Sequence, residues 1–278
     1  VTLTHKNNCG EVTVSQKLNF TASPTASITA TPTAVCYNDN INLEGKIENA
    51  ISKTTFQWVG AGTFLPTDNL KTVYTPTLAE RNAGVANIKL VVNTGITGTC
   101  AVITSDAAVV IYPKNTVSNP LPSLTQNICT GDFAVFTPQT NVPGSTFKWT
   151  AVNTAGTATG FSASGNGNIN EAIVNTDAVQ TATVEYTITP ESNGCDGVPF
   201  KFTVNIAPRP VITAAVPEKT ICHNNPAAIV INSNIPATFT WTSTATTGIT
   251  GNTSNLVQGT AANSLNINDV LLNSAFNQ

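Results

Sequence analysis

The stretch Ser145–Ala151, STFKWTA, has two echoes in the chain. Residues Thr54–Gly60 read TTFQWVG, and Ala237–Ser243 read ATFTWTS. The three Trp residues, Trp58, Trp149 and Trp241, stand 91 and 92 positions apart. The Cys residues keep the same step in two series. Cys36, Cys129 and Cys222 are separated by 93 and 93 residues, and Cys9, Cys100 and Cys195 by 91 and 95. Three independent markers with one interval define a repeat of about 93 residues, and a repeat decides the architecture before any single element does.

Within one period the strand signal is plain. In FKFTVNI the apolar residues Phe200, Phe202, Val204 and Ile206 alternate with Lys201, Thr203 and Asn205. That is the period-two pattern of a strand with one dry and one wet face. TVEYTI repeats it with Val184, Tyr186 and Ile188, and the Asn- and Gly-bearing TPESNGCDG between the two reads as a hairpin turn. FAVFTP and TFKWTAV read as a second pair. Five to eight such strands in about ninety residues fit a β-sandwich. Trp149 lies between wet positions with Phe147 on its own side, so Trp58, Trp149 and Trp241 are expected as core anchors. The competing reading is a sugar-stacking platform.

Composition agrees. Only 10% of the 278 residues are Asp, Glu, Lys or Arg, against a usual quarter, while 41% are hydrophobic. Thr, Asn and Ser supply the remaining polarity, and Thr and Val favour strands. The net charge of −3 comes without a Lys or Arg run, which leaves nucleic acid and anionic membrane without an electrostatic footprint. No apolar stretch approaches a membrane span. The chain contains no Met, so it is expected to be a piece of a longer polypeptide.

Alignment of the repeats marks the boundaries. VTLTHKNNCGEVTVSQKLNFTASPTASI aligns with YTITPESNGCDGVPFKFTVNIAPRPVI, so residues 1–23 read as the closing strands of an upstream repeat. NSLNINDVLLN (Asn263–Asn273) matches NGNINEAIVN (Asn166–Asn175), so the last unit is expected to lack its closing strands. The Pro-bearing segments ASPTASITATPT, YPKNTVSNPLPS and APRPVITAAVP read as short, stiff linkers that string the units into an extended array. The period also suggests the disulfides. Cys36 with Cys100 and Cys129 with Cys195 close loops of 64 and 66 residues, leaving Cys9 and Cys222 to partners outside the chain. Loops of that size stabilise by roughly 4 kcal/mol in the chain-entropy account. Such pairs belong to an oxidising compartment.

Enzymatic sites find little support. Glu44, Asp68, Asp132, Glu171 and Asp196 are scattered over turns and strand ends, whereas glycoside chemistry needs two positioned carboxylates. His5 and His223 lie apart from any Ser–acid pair. No catalytic residue, metal site or cofactor is expected. YNDN (Tyr37–Asn40) and CDG (Cys195–Gly197) offer oxygen ligands without the spacing of a calcium loop, and read as turns.

ICTGD, STFKWTA, GNGNINEAIVN and VEYTITPESNGCDGVPFKFTVNIAPRPVI together resemble the PKD-like and immunoglobulin-like repeats of giant bacterial surface adhesins exported by the type IX route. VCYNDNINLEG, TFQWVGAGTFLP, TVYTPTLAERNAG and IKLVV resemble a sister class in the same adhesins, of the gliding-motility type. The resemblance implies an immunoglobulin-like repeat over 24–113, a PKD-like repeat over 114–208 and the first part of another over 209–278. It further implies a non-enzymatic stalk at the bacterial cell surface, associated with the outer membrane. Its partners would be neighbouring repeats, the export and motility machinery, and extracellular surfaces or polysaccharides. The alternative is a non-catalytic spacer of a secreted multidomain glycan-active enzyme.

Overall fold

The computed structural model describes residues 1–17, 22–96, 101–214, 218–253, 256–257 and 260–274. The chain divides into two compact units, Val1–Lys114 and Asn115–Gln278. It is all-β, built from immunoglobulin- and PKD-like β-sandwich domains, with the single short α-helix of the described residues in the first unit.

The first unit opens with a hairpin, β1 (Thr2–Asn7) and β2 (Gly10–Ser15). The sandwich follows as β3 (Thr25–Thr31), β4 (Ala34–Val35), β5 (Ile41–Glu48), β6 (Thr55–Val59), β7 (Thr63–Leu65), β8 (Lys71–Thr75), helix α1 (Leu78–Ala83), β9 (Val85–Asn93) and β10 (Val102–Ile111). One sheet runs β4-β10-β9-β6 and the other β3-β5-β8-β7. Period-two burial in β5 and β9 sends Ile41, Leu43, Ile88, Leu90 and Val92 inward, where they meet Trp58 and Tyr74. One reading of the sequence is corrected here. ASPTASITATPT is no free linker: Thr25–Thr31 pairs along its length with β5 because Ala26, Ile28 and Ala30 alternate onto the core. The helix LAERNA arises from a local device, a capping box in which Thr77 Oγ1 accepts from the Glu80 amide and Glu80 accepts from the Thr77 amide. Gly84 ends it in the left-handed region at φ 78°, a conformation that costs glycine little.

The second unit contains β11 (Thr125–Cys129), β12 (Phe133–Phe136), β13 (Thr146–Ala155), β14 (Ala158–Thr159), β15 (Ser164–Asn166), β16 (Ile169–Ala172), β17 (Val174–Asn175), β18 (Ala182–Ser192), β19 (Cys195–Asp196) and β20 (Phe200–Ala207). The main sheet is β11-β20-β18-β13-β15, faced by the pairs β12-β16 and β14-β17. The antiparallel hairpin β18–β20 is its centre. Val184, Tyr186, Ile188, Val204 and Ile206 are 0% exposed and Phe202 is 1% exposed. Phe136 stacks on Phe202 at 4.4 Å and joins the two layers. Beyond lie β21 (Ile212–Ala214), β22 (Asn225–Pro226), β23 (Ile229–Ala237), β24 (Thr240–Trp241), β25 (Ile249–Thr250), β26 (Leu256–Val257), β27 (Ala262–Ile267) and β28 (Val270–Asn273), in short sheets of two or three strands.

Trp58 and Trp149 sit in the two cores, and a glycine makes room for the second. Gly165 pairs directly with Trp149 across β13–β15, and a Cβ there would stand 2.3 Å from the indole. Trp149 meets Tyr186 of β18 edge-on at 5.4 Å. Trp241 departs from the expectation, being only partly buried. The reason is local: among the described residues 209–274 no strand supplies the counterpart of β18 and its Tyr186.

Gly165→Ala is expected to overpack the indole and destabilise the second unit by about 1–3 kcal/mol, leaving the melting of residues 1–114 unchanged. Chemical denaturation followed by Trp fluorescence, with single-Trp backgrounds separating the units, checks it. An unchanged midpoint for Trp149 contradicts it.

Candidate functional site

Four of the five acids singled out in the sequence are engaged in structure. Glu171 Oε2 accepts from the Tyr186 hydroxyl at 2.6 Å, tying β16 to the central strand of the opposite sheet. The first unit repeats the device, with Tyr74 donating to Glu80 Oε1 at 2.6 Å while the Gly62 amide donates to the Tyr74 oxygen at 2.7 Å. Burial, reinforced by the Glu80 contact, pushes the Tyr74 hydroxyl up to about 12. Burial and the Glu171 contact raise the Tyr186 hydroxyl as well. Glu44 pairs with Lys71 at 3.2 Å on the surface, and Asp132 Oδ2 accepts from the Cys129 amide at 3.3 Å in a turn. Asp68 is exposed, His5 lies on the exposed first hairpin, and His223 Nδ1 accepts from the Asn273 amide at 3.0 Å. The two oxygen-rich turns are also occupied. Arg81 donates to the carbonyls of Tyr37 and Asp39, which places a cation where calcium would need free carbonyls. Asp196 pairs with Lys148 at 2.6 Å. Among the described residues no three His, Cys, Asp or Glu side chains converge on a common point.

The Cys129–Cys195 pair expected from the repeat is not formed. Cys195 is disulfide-bonded, whereas Cys129 is a free, exposed thiol, like Cys9 and Cys222. Sheet register explains why. Cys129 stands opposite Ala207, at the end of β20 where Ile206 faces Ala182, the first residue of β18. Cys195 faces Ser192, the last residue of β18. The 11 residues of β18 therefore lie between them, about 35 Å of strand. A disulfide needs Cα atoms within roughly 7 Å. Cys36 is disulfide-bonded too, and its expected partner Cys100 lies outside the described residues.

What the domain offers outward is a polar sheet face. Across β15, β13 and β18, register places Ser164, Thr150 and Thr187 in one row and Asn166, Lys148 and Thr189 in the next. These side chains line a shallow groove of about 460 Å³, with Lys148 held at one end by Asp196 and, at 3.9 Å, by Glu191. Sequence reasoning did not single out these residues. They are the wet positions on either side of Trp149, so the signal was the alternation itself. In the first unit, Thr29, Asn42, Glu44 and Lys71 line a similar groove of about 310 Å³ on the outer face of β3-β5-β8-β7.

Residues 126–210 match the PKD-like domain family. No curated protein matches the chain. Among solved structures, it is similar to Dpr2 Ig1–Ig2 in its complex with DIP-Theta Ig1–Ig3 at 12% identity, covering 90% of each chain, with a TM-score of 0.37. Three N-terminal domains of the bacteriophage RB49 highly immunogenic outer capsid protein match at 12% identity, 78% of this chain, 73% of that one and a TM-score of 0.34. A SusE-like surface-located polysaccharide-binding protein from the Bacteroides thetaiotaomicron heparin utilisation locus matches at 13% identity, 66% of this chain, 33% of that one and a TM-score of 0.27. No helix among the described residues is long and apolar enough to cross a membrane.

Two outcomes follow from this geometry. Iodoacetamide should modify Cys129 in the native, non-reduced protein and leave Cys195 unmodified until reduction; a cross-linked Cys129–Cys195 peptide contradicts the register argument. The raised Tyr74 value carries a pH dependence. An unfolded Tyr ionises near 10, below the folded value of about 12. The contribution is therefore complete below about pH 10 and is lost as pH rises through about 12. Thermal melts of the first unit should fall over that window, and Tyr74→Phe should flatten the fall.

Proposed function

We propose that this chain is a non-catalytic structural and adhesive segment of a large bacterial cell-surface protein, of the kind whose tandem repeats carry a contact region to surfaces or polysaccharides. The observation that carries the reading is the commitment of four carboxylates. Glu171 and Glu80 bind buried Tyr hydroxyls, while Asp196 and Glu44 are spent on surface Lys partners. What is left for a partner is a sheet face of hydroxyl and amide groups, which hydrogen-bond sugar hydroxyls. The PKD-like match over residues 126–210 supports the same reading. An immunoglobulin-like repeat over 24–113, a PKD-like repeat over 114–208 and a related segment over 209–278 would repeat such faces. Weak contacts of this kind gain strength through multivalency. Export by the type IX route, a place at the outer membrane and a part in gliding belong to this proposal, on the resemblance of the repeats.

Affinity electrophoresis in gels containing acidic and neutral polysaccharides tests it. Retardation is expected with at least one of them. Thr150→Val with Thr187→Val, which keeps shape and strand preference, is expected to weaken it without lowering the melting temperature. Turnover of any polysaccharide by the purified chain, or retardation indifferent to the double substitution, counts against the reading.

A further inference from the structure

Two side-chain amides stand where β12 would have a neighbouring strand. In the first unit β5, the strand that follows Cys36, is paired by β3 on one edge and by β8 on the other. In the second unit β12, the strand that follows Cys129, has β16 as its one strand partner among the described residues. The main chain begins to cover the other edge and then leaves it. The Ser118 amide donates to the Gln139 carbonyl at 2.9 Å and the Asn141 amide to the Thr116 carbonyl at 3.1 Å, so residues 116–118 lie along the residues that follow β12. Pro120 and Pro122 come next, with no N–H to give a ladder, and Leu121–Leu124 turns away as a 3-10 helix. Side chains take over from there. Asn119 Nδ2 donates to the Thr137 carbonyl at 3.1 Å while its Oδ1 accepts from the Gln139 amide at 2.6 Å. The half-buried Gln126 of β11 repeats the pattern: its Nε2 donates to the Phe133 carbonyl at 3.4 Å and its Oε1 accepts from the Val135 amide at 3.0 Å. Each amide fills the carbonyl of one residue and the N–H of the second residue on, as the main chain of a paired strand would.

Such an edge invites pairing. Phe133 and Val135 beside it are 57% and 55% exposed, and no charged residue occurs from Phe133 to Asn141 to repel a second edge. The stretch is also self-complementary: two copies set antiparallel about Ala134 bring the Phe133 of each opposite the Val135 of the other. We propose that Gln126 and Asn119 are edge guards, which hold the β12 edge closed against strand addition by a second copy of this chain. Main-chain pairing would give that addition its affinity, and the contact, being isologous, would stop at a dimer. Gln126 is the decisive guard, because its two bonds fall on the residues whose side chains would meet.

Sedimentation velocity on the full chain, with free thiols alkylated, tests the proposal over a concentration series. Gln126→Leu keeps the bulk and removes the amide, and is expected to shift toward dimer as concentration rises, further than the wild-type chain does. Adding Val135→Lys to Gln126→Leu puts a charge on the pairing edge and should return the wild-type profile. Circular dichroism melts separate pairing from lost folding. Should Gln126→Leu fail to melt cooperatively, hydrogen exchange on the wild-type chain decides instead: the Val135 and Gln139 amides should be protected as strand amides are. Gln126→Leu that sediments as the wild type does overturns the proposal, as does association that survives Val135→Lys, or exchange of the two amides at the rate of exposed loop amides.

Discussion

Burial of one face of the β18–β20 hairpin is the constraint on which the PKD-like domain depends. Six of its large inward side chains are at most 1% exposed, and among them Tyr186 touches the Trp149 indole and Phe202 the Phe136 ring of the opposite layer. Side chains of this size contribute about 1.5–3 kcal/mol each when fully buried. No other element supplies so many. The hairpin is central in its sheet, so it also sets the register of its neighbours: β13 pairs along one side of β18, and β11 runs parallel to β20 along the other.

From that register the remaining features follow. The parallel course of β11 carries Cys129 to one end of the sheet while the β18–β19 turn carries Cys195 to the other. The inward run of β18 places Tyr186 where Glu171 can accept from it, and a carboxylate in that position is a brace rather than a reagent. The outward run of the same strand places Thr187 and Thr189 beside Thr150 and Lys148. The core and the polar face that a partner meets are thus the two sides of one alternation.

Much of this was legible in the sequence. FKFTVNI and TVEYTI show the alternation directly. Three features were not legible, each for a physical reason. A period says which residues are equivalent and nothing about which end of a sandwich they occupy, so the equal loop lengths suggested a Cys129–Cys195 bond that the sheet forbids. Pro and Thr in ASPTASITATPT resemble a linker until β5 offers a pairing edge, after which Ala26, Ile28 and Ala30 become an inward row. Arg81 reaches the Tyr37 and Asp39 carbonyls across more than forty residues of sequence, a contact that local pattern does not carry.

Native-state hydrogen exchange on the full chain tests the central claim most directly, since protection reports the local opening energy of each element. The account predicts that the amides of β18 and β20 exchange last in the second unit, with β13 close behind and β12 and β16 earlier. Exchange of β18 and β20 ahead of β12 and β16 would contradict it, because the domain would then be held together by something other than its central hairpin.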